Sequence, residues 1–403
     1  MKAVGIIAEY NPLHNGHVYH IEESKRKKKA DIAVVAMSGD FVQRGEPAIL
    51  DKWERAGLAI AHGVDVVVEI PTYFCLGNAR QYGATGVYLL ESIGGVNTLS
   101  FGSETGDIEA LSRVAQNLTK RKHDIQISIK ALTKLGFSYP KARQTAYASL
   151  FVREEPTEDE IRELSVLNGS NDILALEYIM ACEKIHPMPI LRAGAGYSDK
   201  IDELHVFQSA TGIREYLLNK EDVSPYVPED VSYILDSRHL SFTNEWSDIL
   251  RYSVLSLSAE DIDKYPSGGE GIGNRLRKAA LENEKFDEIV SAVKTKRYTR
   301  TRISRLCMQI ILGIKMKTYS GIIPSYIRIL GLSENGRKFI SHVKKNELNT
   351  LPIVTNINKE MEVVGEEMNK LSELDVHSAD IYNLITGKDM LKNSDHRVTP
   401  IIR

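Results

Sequence analysis

The sequence has few cysteines and lacks a long apolar run. Its 403 residues include three cysteines, Cys75, Cys182 and Cys307, which lie far apart and in neither a metal-binding nor a disulfide spacing. This scarcity is typical of proteins that fold in a reducing cytoplasm. All apolar runs fall short of the ~20 residues that a membrane-spanning helix needs, and the N-terminus has no signal-peptide layout. We therefore predict a cytoplasmic protein with no membrane partner.

The sequence also has little net charge, but its charges are unevenly distributed. The formal net charge is -3, which by itself indicates no polyanionic partner. Between Gly271 and Ser320, however, twelve Lys and Arg residues stand against four Asp and Glu residues. The segment KTKRYTRTRISR (residues 294–305) mixes basic residues with Tyr298 and hydroxyl groups, which suits phosphates and stacked bases. A solvated helical face is the alternative, but the asymmetry favours RNA contact through Lys296, Arg297, Arg300 and Arg302.

Short apolar runs alternate with amphipathic stretches in the first half of the chain. The runs are nearly all apolar rather than alternating in polarity, as in parallel strands that are buried on both faces. Their repetition with helices predicts an α/β fold with a doubly wound parallel sheet. The predicted strands are Ala3–Ala8, Ile32–Met37, Val64–Ile70, Thr98–Gly102 and Met188–Gly194, and the predicted helices include Gly16–Lys29, Lys52–His62 and Ala79–Ser92.

The length of the chain predicts two or three domains, because 403 residues exceed what one compact core accommodates. We place a catalytic α/β domain at residues 1–220 and a mainly helical, basic C-terminal domain at residues 221–403. The Pro-punctuated segment EDVSPYVPED (residues 221–230) is the expected linker. Helical periodicity then extends to about Gly331, and Leu351–Ile357 is a candidate late strand.

Three histidines follow the first predicted strand, in the segment EYNPLHNGHVYH (Glu9–His20). His14 and His17 are three residues apart at the predicted start of a helix, so both side chains project from its first turn. Free backbone N–H groups and the positive end of the helix dipole suit a phosphate there, and Gly16 permits close approach of a ligand. The alternatives are capping or buried histidines and a zinc site, although no carboxylate or cysteine lies at helical ligand spacing.

The motif His14-x-Gly-His17, directly after a buried strand, resembles the signature of the adenylyl- and nucleotidyltransferase superfamily. The histidines of that superfamily stabilise the phosphates of a nucleotide. SATGIR (Ser209–Arg214) resembles its second element, which opens a helix near the triphosphate. Ser209 and Thr211 are candidate caps of this helix, and Arg214 is a candidate phosphate ligand. The resemblance implies a Rossmann-like HxGH nucleotidyltransferase domain in which His14, His17 and Arg214 are catalytic.

Five further blocks narrow the resemblance to one family. They are MSGDFVQRGEPAILDKWERA (Met37–Ala56), FGSE (Phe101–Glu104), GSNDILALEY (Gly169–Tyr178), RAGAGY (Arg192–Tyr197) and KRYTRTRI (Lys296–Ile303). In this order they resemble the bacterial tRNA(Met) cytidine acetate ligase family over essentially the full length. The resemblance implies activation of acetate by ATP to acetyl-adenylate, followed by acetylation of N4 of the wobble cytidine in elongator tRNA(Met). RAGAGY departs from the family in being rich in glycine, which leaves the local contacts of Arg192 open.

The resemblance also implies which residues contact ATP. They are the residues of the first-strand loop, three single residues later in the chain and two residues of SATGIR: Ile7, Ala8, Glu9, Tyr10, Asn11, Pro12, Leu13, His14, Asn15, Gly16, His17, Val18, Tyr19, His20, Gly102, Asn171, Arg192, Ser209 and Thr211. Mg²⁺ is a candidate companion of ATP, and no residue is assigned to a metal.

Several polar side chains have more than one interpretation. Arg44 is a candidate for the carboxylate of acetate or for RNA, or is a surface arginine. Asp40 could orient a ribose, the acetate pocket or a metal-bound water, or could cap the following turn. Lys52 and Arg55 are expected to be structural or to face RNA. Asn171 is a ligand of ATP by resemblance, whereas the sequence alone equally favours Ser170 or Asn171 as a helix N-cap.

The sequence is compatible with three functions. The first is an RNA-modifying acetate ligase that uses ATP. The second is a small-molecule nucleotidyltransferase that makes a dinucleotide-type cofactor, which would need no large basic appendage. The third is a non-catalytic RNA-binding protein on a nucleotide-binding scaffold, which the intact His14, His17 and Arg214 disfavour.

Overall fold

The central element of the structure is a predominantly parallel sheet. The computed structural model describes residues 1–192, 207–295, 298–360 and 366–403. Within these ranges, eight strands form the main sheet and two more form a separate hairpin. The strands are β1 (Ala3–Ala8), β2 (Ile32–Ser38), β3 (Phe41–Val42), β4 (Glu46–Pro47), β5 (Val66–Ile70), β6 (Val96–Ser103), β7 (His186–Leu191), β8 (Ile327–Leu332), β9 (Ile353–Val354) and β10 (Ile401–Ile402).

Helices cover the sheet and build most of the second half of the chain. Two single 3₁₀ turns, Ser224–Tyr226 and Thr243–Trp246, join them. The helices are α1 (Asn15–Lys28), α2 (Lys52–Ala61), α3 (Thr72–Cys75), α4 (Ala79–Ile93), α5 (Ile108–Lys120), α6 (Lys122–Lys134), α7 (Tyr139–Phe151), α8 (Glu158–Val166), α9 (Ser170–Ala181), α10 (Ala210–Leu218), α11 (Glu229–Ser237), α12 (Ser247–Leu255), α13 (Ala259–Asp263), α14 (Ile272–Glu282), α15 (Phe286–Val293), α16 (Arg300–Ile311), α17 (Met316–Tyr319), α18 (Glu334–Lys345), α19 (Ile357–Glu360) and α20 (Glu366–Ile385).

The winding of the sheet reverses at β1. The strand order is β10–β8–β5–β2–β1–β6–β7, with β9 beside β8. β1 pairs in parallel with β2 on one side and with β6 on the other. In open α/β sheets, ligands bind beyond the carboxyl ends of the strands at such a reversal. The predicted α/β class with a doubly wound sheet is confirmed, although β8 runs antiparallel to its neighbour β5.

Both faces of the sheet are buried, which explains the unbroken apolar runs. All seven residues of β2 are buried. Val34 points into one apolar core with helices α4, α5 and α9, whereas Val35 points into a second core with α1 and α2. Since successive strand residues face opposite sides, burial on both faces requires apolar residues at every position.

The region after residue 220 differs from the prediction in two respects and agrees with it in one. The expected linker is packed rather than free, because Val223 and Val227 are buried in the core beside α1 and α2. Helices α12 to α16 enclose a third core around Trp246 and Phe286, as expected of a mainly helical region. Helical structure does not continue to Gly331, however, because Ile327–Leu332 forms the fully buried strand β8.

Strands from this second region complete the sheet of the first. β8 pairs with β5, and β9 and β10 both pair with β8. The late strand expected within Leu351–Ile357 is present as β9. The sequence pattern therefore changes near residue 220, but the main sheet contains strands from both sides of this position. Among the helices that the structure describes, we find none that is long and apolar enough to cross a membrane.

Candidate active site

The first histidine pair lies where β1 passes into α1. His14 is the N-cap of α1, with an extended backbone and no capping hydrogen bond from its side chain. The backbone N–H of His17 donates to the carbonyl of His14 at 2.8 Å. The two imidazole rings are stacked, with centroids 3.7 Å apart, and the Tyr10 ring meets His17 edge-on at 4.9 Å. A side chain at Gly16 would place its Cβ 3.0 Å from His14 Cε1, so the glycine makes room for that ring.

The histidines of this helix are neutral at physiological pH. Burial and the charge of Arg192 lower the pKa of His14 to about 3. Burial lowers the pKa of His17 well below its ordinary value, and the neighbouring histidines and Arg192 lower it further. Burial and Arg192 also lower the pKa of His20 to about 4, and its Nε2 lies 3.0 Å from the Ser100 hydroxyl. His20 is therefore engaged with the sheet.

Two buried imidazole nitrogen atoms at this site have no hydrogen-bond partner among the described residues. They are Nδ1 of His14 and Nδ1 of His17. Buried polar atoms in folded proteins are nearly always paired, and unpaired ones call for a ligand or water. Their position at the N-terminus of α1, where backbone N–H groups are free, suits an anionic oxygen.

A second group of polar residues joins the ends of β6 and β7 to the start of α9. Asn171 Nδ2 donates to Glu104 Oε1 at 2.6 Å, and Arg192 Nη1 donates to Asn171 Oδ1 at 3.2 Å. A Cβ atom at Gly102 would lie 3.3 Å from Arg192 Cγ, so a larger residue would displace this arginine. The structure thus brings Gly102, Asn171 and Arg192 together, as the resemblance implied.

Glu104 is a member of this group that the sequence did not single out as a site residue. Its carboxylate accepts hydrogen bonds from the backbone N–H groups of Asn171 and Asp172 at 2.9 and 2.8 Å. The N-cap of α9 is Gly169, so the expectation of a cap at Ser170 or Asn171 is wrong. The sequence offered one indication of this role, because Glu104 follows closely after the predicted strand that ends at Gly102.

The segment Ser209–Arg214 supplies a third group. Ser209 is the N-cap of α10 and accepts from the Gly212 N–H at 3.1 Å, as predicted. Thr211 lies inside the helix rather than at its cap. Arg214 Nη1 donates to the carbonyl of Asn11 at 2.8 Å, and its Nη2 lies 3.3 Å from Glu46 Oε2. Arg214 therefore ties α10 to the histidine loop and to the β3–β4 hairpin.

The remaining residues of the first loop mostly support its shape. Tyr10, Asn11 and Leu13 are each 1% exposed, and Asn11 Oδ1 accepts from the Ile49 N–H at 2.8 Å. Asn15 Nδ2 donates to the carbonyl of Pro225 at 3.1 Å. The other members pack against the two apolar cores or neighbouring rings: Ile7, Ala8, Val18 and Tyr19.

Helix α2 fixes the loop that precedes it from inside the protein. The Arg55 guanidinium is fully buried and donates to the carbonyls of Glu9 at 2.6 Å, Ser38 at 3.1 Å and also Gly39. Asp40 accepts from the Lys52 N–H at 2.8 Å at the start of α2, whereas the N-cap of that helix is Asp51. Arg55 is therefore structural and does not face RNA.

Lys52 belongs to a buried cluster of charges. Its ammonium lies 2.8 Å from Glu69 and 2.6 Å from Asp395, and Arg328 contacts the same two carboxylates at 3.0 and 2.7 Å. Burial raises the pKa of the nearby Asp40 to about 6, although Lys52 opposes that shift. An RNA-facing Lys52 is thus wrong, because its side chain is only 1% exposed. By contrast, Arg44 is exposed in the β3–β4 hairpin.

The predicted RNA-binding residues differ in how far the structure describes them and in the contacts that they make. Lys296 and Arg297 lie outside the described residues. Arg300 donates to Ser291 Oγ at 3.2 Å and pairs with Asp287, and Arg302 donates to the carbonyls of Ser267 and Gly268 at 3.1 and 2.9 Å. Tyr298 is 5% exposed and lies under the Arg302 guanidinium, which leaves it unavailable for stacking on a base.

Within the described ranges, we find no group of three or more His, Cys, Asp and Glu side chains arranged to hold a metal ion. The histidine loop offers imidazole nitrogen atoms, whereas Mg²⁺ prefers oxygen ligands. A magnesium ion that accompanies ATP would therefore be held mainly by phosphate oxygens and water.

The similarity to known proteins extends over the whole chain, both in sequence and in structure. A family model described as HIGH Nucleotidyl Transferase matches residues 1–397. A tRNA(Met) cytidine acetate ligase of Listeria welshimeri is 36% identical over 415 residues, which covers 100% of this chain and 99% of the relative. The corresponding ligase of Caldanaerobacter subterraneus is 36% identical over 396 residues and 95% of each chain.

Comparison with solved structures points to the same family as the sequence comparisons. The crystal structure of Thermotoga maritima TmcAL bound with alpha-thio ATP superposes with a TM-score of 0.89 at 32% identity, and covers 100% of this chain and 99% of that one. The apo form of the same protein gives a TM-score of 0.88. The chain therefore belongs to the HIGH nucleotidyltransferases and, among these enzymes, to the tRNA(Met) cytidine acetate ligase family.

Proposed function

We propose that this enzyme activates acetate with ATP to form acetyl-adenylate, and then transfers the acetyl group to N4 of the wobble cytidine in elongator tRNA(Met). The observation that carries the proposal is the stacked, neutral His14–His17 pair at the N-terminus of α1, whose two Nδ1 atoms have no partner in the described part of the chain. The names of the relatives and the ATP analogue bound to Thermotoga maritima TmcAL support the substrates.

In the activation step, an oxygen of acetate attacks the α-phosphorus of ATP. The bond from that phosphorus to the bridging oxygen of the β-phosphate breaks, and pyrophosphate leaves with the electron pair. Catalysis of such a step depends on alignment of the reactants and on stabilisation of charge at the phosphate oxygens. His14 and His17 are suited to donate hydrogen bonds to these oxygens, and the nearby guanidinium of Arg192 supplies positive charge.

The arrangement favours neutral donors close to the phosphates and full charges farther out. A neutral imidazole donates one directional hydrogen bond and accepts another, depending on its tautomer. Arg192 is oriented by Asn171, which Glu104 in turn holds in place. Arg214 is held by the carbonyl of Asn11 and by Glu46, so it would meet a phosphate only by exchanging one of these partners.

The test supplies purified protein with ATP, labelled acetate and total tRNA, and then digests the RNA to nucleosides. We expect labelled N4-acetylcytidine, confined to tRNA(Met), with release of AMP and pyrophosphate. Acetyl-coenzyme A without ATP should not replace acetate, because the phosphate-binding residues have a role only when ATP is cleaved. ATP consumption without acetylated RNA, and with a dinucleotide as the product, would instead identify a small-molecule nucleotidyltransferase.

A further inference from the structure

Glu9 is a carboxylate at the end of β1, directly before the histidine loop, and a role as a phosphate ligand does not suit it. An ionised carboxylate repels the oxygens of a triphosphate at short range. As a residue, Glu9 is partly buried and not fully enclosed by the protein. The surroundings of this carboxylate indicate a different partner.

The two carboxylate oxygens of Glu9 differ in their contacts with the residues that the structure describes. Oε1 accepts a hydrogen bond from the Gln43 N–H in the β3–β4 hairpin at 2.9 Å. Oε2 has no hydrogen-bond partner within the described part of the chain. The backbone is also fixed, because the Glu9 carbonyl accepts from Arg55 Nη1 at 2.6 Å. The hydrogen bond to Oε1 therefore fixes the side chain, and Oε2 is left to accept a hydrogen bond or a proton from a substrate.

We infer that Glu9 is the general base of the transfer step, and that its Oε2 accepts a proton from N4 of the cytidine. This role rests on the proposed function. The N4 nitrogen attacks the carbonyl carbon of acetyl-adenylate, a C–N bond forms, and the bond from that carbon to the phosphate oxygen breaks. AMP leaves with the electron pair, and one N–H proton of the amine passes to Glu9.

The hairpin that holds Glu9 is attached to the basic helical region. Arg305 of α16 donates to the carbonyl of Gln43 at 3.2 Å. A Cβ atom at Gly45 would lie 2.2 Å from the backbone nitrogen of Arg305, so the hairpin and the helix are in direct contact. The N–H of Gln43 thus holds the carboxylate while its carbonyl meets the helix that begins in the basic segment. A base delivered from an RNA on that segment would approach Glu9 from this side.

Charged and titratable groups on several elements influence the pKa of Glu9, and together with burial they raise it. Burial raises the pKa of Glu9, whereas the charges of Arg44 and Arg214 and the Gln43 N–H lower it, and Glu46 raises it. On the other side, Tyr82 and Tyr178 both have a raised pKa, chiefly through burial, so they stay protonated. A carboxylate with a raised pKa is a stronger base than an ordinary one while it remains ionised.

The test isolates transfer by supplying chemically made acetyl-adenylate and a tRNA(Met) transcript in the absence of ATP. For the wild-type enzyme, we expect the single-turnover rate to rise with pH through the pKa of Glu9 and then to level off. Glu9→Gln should lower the rate about 100-fold or more and remove this rise. Glu9→Asp should keep the rise at a reduced rate. Glu46→Gln should keep it and move it to lower pH, because a neighbouring negative charge is lost.

The outcomes separate the two proposals. Failure of the wild-type enzyme to transfer acetyl to the tRNA would contradict the proposed function itself. Wild-type transfer together with a Glu9→Gln rate within threefold, and with the same pH dependence, would overturn only the role of Glu9. If Glu9→Gln does not fold, the Glu46→Gln variant decides: a rise that stays at the same pH excludes Glu9 as the titrating group.

Discussion

The imidazole rings of His14 and His17 stack with centroids 3.7 Å apart and planes inclined by 22°. Two imidazolium ions at this distance would repel each other strongly, and burial disfavours each charge in addition. The pair therefore works as two oriented dipoles and not as two cations. A site of this kind stabilises charge that develops on an oxygen without holding the ground-state phosphate too tightly.

Replacement of either stacked histidine by Asn should lower the rate of acetyl-adenylate formation by about 100- to 1,000-fold, as for the loss of one preorganised donor. The reason is that each ring supplies a buried nitrogen without another partner in the described structure. The rate is measured as acetate-dependent exchange of pyrophosphate into ATP without tRNA. His123→Asn is the matched control, since that side chain is 85% exposed. Rates within threefold of wild type for both His14→Asn and His17→Asn would return the pair to a structural role.

The same burial predicts how stability depends on pH. The pKa of His20 is about 4 in the folded protein, against about 6.5 in an unfolded chain. Between these values the unfolded chain binds a proton that the folded protein does not, so stability falls as the pH drops from 6.5 towards 4. His20→Asn should reduce the slope of stability against pH by the amount that corresponds to about one bound proton. The melting temperature, measured at several pH values across that range, reports this slope. His123→Asn should leave the slope unchanged, and an equal slope in His20→Asn would contradict the buried neutral state.

The Arg192–Asn171–Glu104 group should control the affinity for ATP. Arg192→Ala removes a charge-assisted interaction, so we expect the KM for ATP to rise by about 10- to 100-fold, from about 1.5–3 kcal/mol. Asn171→Ala should produce a smaller rise, because Arg192 remains but loses the amide that orients it. Initial rates of activation at varied ATP concentration measure both. Arg26→Ala serves as control, because its side chain is 69% exposed and pairs with Glu23 within α1. An unchanged KM in Arg192→Ala would remove this group from the ATP site.

The sequence predicted the features that depend on local patterns. The apolar runs of β1 and β2 and the histidines after β1 are recognisable because burial and chain direction act within a few residues. The contacts that bind the site to the rest of the protein are different. Arg305 meets Gln43 across 262 residues, and Lys52 meets Asp395 across 343. Such pairs leave no periodic signal, so the sequence left Lys52 as structural or RNA-facing and Tyr298 as a candidate for RNA contact, although both are buried.

Removal of the Lys52 ammonium should strongly destabilise the fold. Lys52→Met leaves the carboxylates of Glu69 and Asp395 with Arg328 as their remaining cation in the cluster. Loss of one partner from a buried ionic cluster costs about 3–5 kcal/mol in the free energy of unfolding. Denaturation in urea measures this quantity. Lys338→Met is the control and should cost less than about 1 kcal/mol, because that lysine is 57% exposed and pairs with a surface glutamate. A loss below 1 kcal/mol in Lys52→Met would contradict the view that the cluster depends on this lysine.

Basic residues of the second region should divide into those that bind tRNA and those that hold the fold. Arg302 uses its guanidinium on two carbonyls and Glu270, so Arg302→Ala should lower stability by about 1–3 kcal/mol. Arg275 and Lys278 on α14 are exposed, and the side chain of Lys278 is 74% accessible. Their joint replacement by Gln should weaken tRNA binding without a comparable loss of stability.

Salt dependence distinguishes the two effects. Each phosphate contact that is lost should reduce the slope of log K against log salt concentration by about 0.7–0.9. Arg275→Gln with Lys278→Gln should therefore flatten the slope by about 1.5, whereas Lys338→Gln on α18 should leave it unchanged. Acetate activation without tRNA should survive in the double variant, because the buried side chains of α14 belong to the core around Trp246, whereas those of the histidine loop belong to the core beside α1 and α2. Equal slopes for the double variant and the wild type would mean that the positive charge of this region is a solvated surface, and that the tRNA is bound elsewhere.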